Sequence, residues 1–182
     1  MMNWSLVLER NAEQYPDKEC LIGLSKRYTY KQLRERTNSL AQGLLDIGID
    51  KGDVVAILLY NCLEYIEMTF AINKIGAVWL PLNFRLVSSE FSYILNNAEA
   101  KALITEPEFA ETISSIKSEL PILKNYIQLG PDTPEGWLNY DEIIERNLGV
   151  NPVDVEVGMD DLHRLMFTSG TTAYLKGVML SY

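Results

Sequence analysis

The chain has 182 residues, of which 47% are hydrophobic and 23% charged, and its formal net charge is −9. This length suits one globular domain with a buried core, and the composition excludes a disordered or fibrous protein. The acidic balance, without any run of basic residues, argues against nucleic-acid binding, because a polyanion requires clustered Lys and Arg. We therefore expect a single domain over residues 1–182 with a small-molecule or protein partner.

The sequence carries no targeting, disulfide or metal-binding signal. The N-terminus lacks a basic region followed by a long apolar stretch, and the longest apolar run, residues 54–60, is too short to cross a bilayer. Cys20 and Cys62 belong to no C-x-x-C pair or Cys/His cluster. We expect both to be free, buried or half-buried thiols in a reducing compartment. These features predict a cytoplasmic protein without a transmembrane segment.

The first predicted elements are a short helix and a hairpin. Residues 5–15 carry apolar side chains followed by charged ones and stop before Pro16, which is typical of a short opening helix. Residues 20–23 and 27–30 are two strand-like runs that flank the short connection Leu24-Ser25-Lys26. This spacing predicts a small β-hairpin.

A longer helix and a buried strand follow. From Thr29 onward leucines recur at helical spacing, and Thr29 with Gln32 forms a capping box in which each side chain accepts from the other residue's backbone N–H. Gly48 ends this predicted helix. Residues 54–59 are apolar throughout, as required of a parallel strand that helices cover on both faces.

The rest of the chain alternates between helix and strand. Asn61 is the predicted N-cap of a second helix, with Glu64 placed to complete its capping box and Gly76 to end it. Further strands are predicted at 77–80, 100–105, 125–129 and 162–167, and further helices from Ser88, at 109–120 and at 139–147. Such alternation with short connections predicts an α/β fold with a doubly wound, mainly parallel sheet flanked by helices.

A stretch rich in hydroxyl side chains follows the last predicted strand. It consists of Thr168, Ser169, Gly170, Thr171, Thr172, Ala173, Tyr174, Leu175, Lys176 and Gly177. A polyphosphate is bound by backbone N–H groups exposed at a glycine turn, by hydroxyl donors and by a mobile ammonium group. Ligands of open parallel sheets also collect beyond the carboxyl ends of the strands. We therefore interpret this stretch as a phosphate-binding loop.

Two other interpretations of the loop explain its residues less well. Gly170 and Lys176 have the spacing of a Walker phosphate loop, but Leu175 stands where the second glycine belongs and Gly177 where the magnesium-binding hydroxyl belongs. The Walker geometry is therefore excluded. A surface turn with an incidental lysine would explain any one of these residues, but it does not explain their joint order behind a buried strand.

The remaining titratable residues do not form a catalytic group in the sequence. The single histidine, His163, has no partner for nucleophilic catalysis, and we expect it to be solvated or to cap a strand. Glu64 and Glu67 fit helix faces, and Asp160 and Asp161 fit a loop, better than a paired-carboxylate site. We predict no catalytic residue within this chain.

The loop resembles the Thr-Ser-Gly-Thr-Thr-Gly-x-Pro-Lys-Gly signature of adenylate-forming enzymes, the superfamily of acyl- and aryl-CoA synthetases, luciferases and peptide-synthetase adenylation domains. Two weaker features stand upstream in the same order as in that family. RYTYKQLRERTNSLA, residues 27–41, is similar to its early Thr-Tyr-x-Glu-Leu helix start, and INKIGAVWLPLN, residues 72–83, resembles its Lys-x-Gly-Ala-x-x-x-Pro-Leu-Asn segment. Residues 81–86 look more like the acyl-CoA synthetase branch than the amino-acid-activating one.

The resemblance implies an enzyme that joins a carboxylic acid to ATP, gives an acyl-adenylate and pyrophosphate, and then transfers the acyl group to coenzyme A, with Mg²⁺ as the metal. By the same resemblance, the loop would hold the β- and γ-phosphates of ATP. The residues assigned to nucleotide binding are Thr168, Ser169, Gly170, Thr171, Thr172, Lys176 and Gly177. Preorganised donors and a cation at this place would stabilise an in-line displacement at the α-phosphorus.

The chain departs from the family pattern in two respects. Ala173 stands in place of a glycine and Leu175 in place of a proline, which loosens the preorganisation of the loop. The family's adenine and acyl pockets, magnesium-binding acid, ribose-binding Asp and mobile C-terminal domain all follow the signature.

Three hypotheses follow. We expect the N-terminal part of an acyl-CoA synthetase, incomplete at its C-terminal end, inactive alone and without a tightly bound cofactor. One alternative is a naturally short relative that acts as an interaction module and forms a homodimer through its unfinished sheet or an exposed apolar face. The other is a different adenylate-forming ligase, such as an aryl-CoA ligase or an amino-acid-activating domain.

Overall fold

A computed structural model of the chain shows helices on both faces of a seven-stranded sheet, with a separate two-stranded sheet beside it. The structure describes residues 4–151, 153, 155–168 and 175–182. The helices are α1 (Trp4–Gln14), α2 (Tyr30–Asp46), α3 (Leu63–Lys74), α4 (Ser88–Asn97), α5 (Pro107–Ser115) and α6 (Tyr140–Arg146). The strands are β1 (Glu19–Ile22), β2 (Arg27–Thr29), β3 (Val54–Leu58), β4 (Val78–Pro81), β5 (Ala102–Thr105), β6 (Asn125–Gln128), β7 (Leu138–Asn139), β8 (Leu162–Thr168) and β9 (Lys176–Ser181).

The sheet is mainly parallel, as the alternation of elements predicts. Its strand order is β7-β6-β5-β3-β4-β8-β9, and its neighbouring strands run parallel except for the antiparallel pair β8–β9. Strand β3 lies between β4 and β5, so the chain adds one strand on each side of it before extending the sheet. The α/β prediction of the sequence is therefore confirmed.

Strand β3 shows why the sheet is covered on both faces. Val54, Ala56 and Leu58 pack into the core that includes side chains of α4 and α5. Val55 and Ile57 pack on the opposite side, into the core formed with α2, α3 and α6. All five side chains are buried, which agrees with the uninterrupted apolar run.

The start and end of α2 confirm the sequence reasoning. The Thr29 N–H donates to Gln32 Oε1 at 2.9 Å, and the Gln32 N–H donates to Thr29 Oγ1 at 3.3 Å, so the capping box forms. The helix ends at Asp46, and Gly48 follows with a φ of 84°, a conformation that glycine adopts without strain. The β1–β2 hairpin also forms as predicted.

Two helix predictions were wrong in detail. Helix α3 begins at Leu63 with Cys62 as its cap, and no side chain caps it, whereas Asn61 was the predicted cap. The segment before the helix is held by a tertiary contact instead, since the backbone N–H of Tyr60 donates to the carboxylate of Glu106 at 2.6 Å. The helix predicted at 109–120 is split into α5 and a 3₁₀ turn at Lys117–Glu119. Strands β7 and β9 were not predicted at all.

A buried ion pair joins α2, α3 and α6. The side chain of Glu67 is fully buried and accepts hydrogen bonds from Arg36 and, at 2.9 Å, from the Tyr140 hydroxyl. Burial raises the pKa of the Glu67 carboxyl, and the Arg36 guanidinium opposes that shift. Glu67 lies on a helix as expected, and its side chain is on the buried face of that helix.

Cys20 and Cys62 are free and half-buried, as the sequence predicts. Within the part of the chain that the structure describes, no helix has the length and apolar character needed to span a membrane.

Candidate functional site

The candidate loop lies between the antiparallel strands β8 and β9. Strand β8 pairs in parallel with β4 through Trp79 and Arg164, so its carboxyl end lies at the same edge of the sheet as the carboxyl ends of the other parallel strands. Strand β9 then returns along β8. The hairpin therefore places the loop at the sheet edge where ligands of α/β proteins bind.

The structure describes three of the predicted nucleotide-binding residues. Thr168 is the last residue of β8 and pairs with Lys176, the first residue of β9, and Gly177 pairs with Phe167. The side chains of Thr168 and Lys176 are exposed to solvent. The other predicted residues lie outside the described part of the chain; they are Ser169, Gly170, Thr171 and Thr172. A hydroxyl and a cation thus stand opposite one another at the base of the loop.

Helix α4 holds the end of the loop. The hydroxyl of Tyr93 donates to the backbone carbonyl of Leu175 at 3.2 Å. Both side chains are partly buried against the core cluster that also contains Phe91 and Ile94 of the same helix. Tyr93 is not recognisable in the sequence, because a hydrogen bond between residues 82 positions apart leaves no local pattern.

Gly177 has a packing role at the start of β9. A Cβ atom at this position would lie 3.1 Å from the ring atom Cζ of Phe167 on the opposite strand. That distance is tighter than most Cβ contacts, so a side chain at position 177 would require the ring of Phe167 to shift by a few tenths of an ångström. Glycine here permits close packing of the hairpin that carries the loop.

A second possible ligand crevice at the same edge of the sheet is occupied by side chains of the protein. Between β3 and β5, where the order of strands reverses, an open α/β sheet offers another ligand crevice. Here the Tyr60 N–H donates to the Glu106 carboxylate at 2.6 Å, and the Tyr60 hydroxyl donates to Glu108 at 3.0 Å. A phosphate at this position would meet two carboxylates, so an anionic ligand is disfavoured there.

The placement of His163 corrects the sequence expectation. Its side chain is 8% exposed, so it is buried rather than solvated. Its ring centroid lies 4.6 Å from that of Tyr182 and 6.4 Å from that of Trp79. Burial lowers the pKa of His163, and the nearby Arg164 lowers it further. The reason for the error is a bulge between Leu162 and Arg164, which an alternating strand pattern does not show.

His163 borders a cavity on the α3 side of the sheet. The cavity measures about 470 Å³. Its wall is mainly apolar, with Ile66 and Phe70 from α3, Trp79 from β4 and Leu180 from β9. Within residues 4–151, 153, 155–168 and 175–182, no three His, Cys, Asp or Glu side chains are grouped in a way that would hold a metal ion.

The fold and the loop define a class before any relative is considered. A mainly parallel sheet flanked by helices, with a hydroxyl-rich, lysine-containing sequence between β8 and β9 beyond the carboxyl end of a parallel strand, is the architecture of an open α/β protein. The chain belongs to the AMP-binding enzyme family, which matches residues 8–182.

The relatives are CoA ligases. The chain is 33% identical over 176 residues to a crotonobetaine/carnitine–CoA ligase of Salmonella enteritidis. The matched region covers 92% of this chain and 34% of the relative. It is 34% identical over 179 residues to a long-chain-fatty-acid–CoA ligase of Thermus thermophilus, covering 96% of this chain and 32% of the relative. The chain thus spans about a third of the length of these relatives.

Two solved structures share the fold of this chain. The anthranilate CoA ligase AuaEII, crystallised with anthranoyl-AMP, superposes with a TM-score of 0.93 at 28% identity over 99% of this chain and 35% of that one. The N-terminal domain of FACL13 from Mycobacterium tuberculosis superposes with a TM-score of 0.88 at 31% identity, over 100% of this chain and 44% of that one. The resemblance to acyl-CoA synthetases noted in the sequence is therefore confirmed.

Proposed function

We propose that this chain is the N-terminal part of an ATP-dependent acid–thiol ligase, with residues 1–182 as one α/β domain. The complete enzyme would join a carboxylic acid to ATP, release pyrophosphate and transfer the acyl group to coenzyme A, with Mg²⁺ as the metal. The observation that carries this proposal is the match of the AMP-binding enzyme family along residues 8–182, which includes the loop. The relatives named above are CoA ligases as well.

The loop's own residues fit a polyphosphate. The sequence places the hydroxyl donors of Ser169, Thr171 and Thr172 around Gly170, a residue type whose backbone N–H a phosphate can approach closely. Lys176 is exposed at the base of the hairpin, so its ammonium group is free to turn toward bound phosphates. In the proposed reaction these groups hold the β- and γ-phosphates while the acid attacks the α-phosphorus, and Thr168 and Gly177 shape the two strand ends.

The test is carboxylate-dependent exchange of pyrophosphate into ATP. The longest open reading frame that contains this chain is expressed and assayed with short-chain, long-chain and aromatic acids. We expect exchange that requires one class of acid, and coenzyme A thioester formation with that same acid. Absence of exchange with every acid class would contradict the ligase assignment.

The same panel separates the alternatives within the family. Exchange with aromatic acids alone would indicate an aryl-CoA ligase, and exchange with amino acids would indicate an amino-acid-activating domain. Exchange with long-chain acids would place the protein in fatty acid metabolism. For the 182-residue chain alone we propose no acyl-CoA formation, so measurable product from it would contradict this part of the proposal. A cytoplasmic location remains a prediction that fractionation of the native cells tests.

A second candidate function is self-association through β9. This strand lies at the end of the described sheet and pairs only with β8 within the described residues. Met179 is 69% exposed and Val178 45% exposed, which makes the strand an apolar edge. We expect the chain to form dimers at high concentration, and sedimentation velocity measures this. A single monomeric species at every concentration would contradict it, and Met179→Lys, which puts a charge on the edge, should shift dimers toward monomers.

A further inference from the structure

We propose that Tyr93 is a positioning residue for the phosphate loop, because its hydroxyl fixes the peptide group that leads into Lys176. The inference rests on the proposed function and names a residue of that site which the sequence does not show. The hydroxyl donates to the Leu175 carbonyl at 3.2 Å. A peptide group is planar, so holding this carbonyl also sets the direction of the Lys176 N–H.

The platform behind this bond is rigid. Tyr93 lies on α4, and that helix buries Phe91, Ile94 and Leu95 in the core, each about 1% exposed. Leu175 packs against the same core cluster as Tyr93. The hydrogen bond therefore ties the end of the loop to a part of the molecule that resists movement.

Three contacts converge on the backbone of Lys176. Tyr93 holds the preceding carbonyl, the strand pairing places Lys176 opposite Thr168, and the ring of Phe167 rests on Gly177. The side chain of Lys176 is nevertheless exposed. A fixed backbone with a free ammonium group suits a residue that must meet a ligand in one place, because less motion is then lost on binding.

The residue at position 175 makes this restraint matter. Leucine leaves its φ angle free, whereas a proline would lock it. The bond from Tyr93 supplies a tertiary restraint at a position where the local sequence supplies none. Its loss should therefore loosen the hairpin end without disturbing the core.

Tyr93→Phe removes the hydroxyl and keeps the ring. The matched control is Tyr126→Phe, since Tyr126 also packs in this core cluster and its buried hydroxyl has no hydrogen-bond partner among the described residues. We measure amide hydrogen exchange of the 182-residue chain without nucleotide. In Tyr93→Phe, peptides covering residues 175–181 should exchange about two- to tenfold faster, the range that one net hydrogen bond supports. Equal exchange in both variants and the parent chain would overturn the positioning role.

A kinetic readout separates positioning from simple stability. In the longest open reading frame that contains this chain, Tyr93→Phe should raise the KM for ATP about threefold or more while the KM for the acid stays unchanged. Tyr126→Phe should leave both constants unchanged. An active parent enzyme whose ATP KM is the same in Tyr93→Phe overturns the inference but leaves the ligase assignment intact. If the parent is inactive with every acid, the ligase assignment fails and the hydrogen-exchange result alone decides the role of Tyr93.

Discussion

Strand β3 and the β8–β9 hairpin belong to one sheet but differ in how they are held. Every side chain of β3 is buried, with parallel partners on both sides and helices on both faces. In β9, five of the six residues are exposed, and β8 is its strand partner. The hairpin carries all the residues that we assign to nucleotide binding. The difference teaches that the scaffold is stabilised by burial. The residues assigned to nucleotide binding lie instead on a lightly buried hairpin that a few specific contacts hold in place.

The comparison predicts the largest difference for truncations of aliphatic side chains. Ile57→Ala in β3 removes a fully buried side chain and should lower the free energy of unfolding by about 2–5 kcal/mol, because a cavity remains. Val178→Ala in β9 removes a side chain that is 45% exposed and should cost less than about 1 kcal/mol. Urea unfolding measures both. Equal losses would mean that the hairpin is as tightly packed as the centre of the sheet.

A smaller difference is expected for charge removal. Glu67→Gln leaves Arg36 without its buried charged partner, and removing one partner of a buried ion pair usually costs about 3–5 kcal/mol. Because the Arg36 side chain is 23% exposed, we expect a smaller loss in the free energy of unfolding, about 2–3 kcal/mol. The control, Glu142→Gln, breaks a pair with Arg146 in which both side chains are mostly exposed, and should cost less than about 0.5 kcal/mol. A loss at Glu67 no greater than at Glu142 would show that the buried pair does not hold the helices together.

The smallest expected effect is the pH dependence of stability that His163 causes. His163 is a buried residue of the otherwise lightly buried hairpin. Because burial lowers the pKa of His163 in the folded state, the unfolded chain binds this proton first as the pH falls. Above pH 6.5, the ordinary pKa of histidine, His163 therefore does not change the free energy of unfolding. As the pH drops through 6.5, the folded state loses stability. His163→Gln should weaken this loss, as measured by urea unfolding at several pH values. An identical pH dependence in parent and variant would mean that His163 titrates freely.

Local patterns predicted the scaffold well. The capping box of Thr29 and Gln32, the helix stop at Gly48 and the buried run of β3 all depend on neighbours in sequence, and the structure confirms them. The predicted cap at Asn61 was wrong, and the preceding residue, Tyr60, is held by the distant carboxylate of Glu106. Local capping rules do not contain that contact.

For the candidate site, the sequence predicted which residue types take part but not how they are held in place. The order of hydroxyls, glycine and lysine identified the loop, but strand β9 was missed, and with it the pairing of Thr168 with Lys176. Tyr93 was missed because it reaches the loop from another helix, and His163 was misplaced because a bulge turns it inward. Each of these depends on tertiary contacts between residues far apart in the chain or on a local irregularity.

The central claim is that the loop between β8 and β9 binds the phosphates of ATP, and nuclear magnetic resonance tests it most directly. The ¹⁵N-labelled chain is titrated with ATP and with tripolyphosphate, beside the variant Lys176→Ala. We predict saturable shifts within residues 168–177 at millimolar ligand, equivalent to about −4 kcal/mol, and binding weakened about tenfold or more in the variant. Shifts centred on Tyr60 and Glu106, or equal binding by Lys176→Ala, would contradict the account.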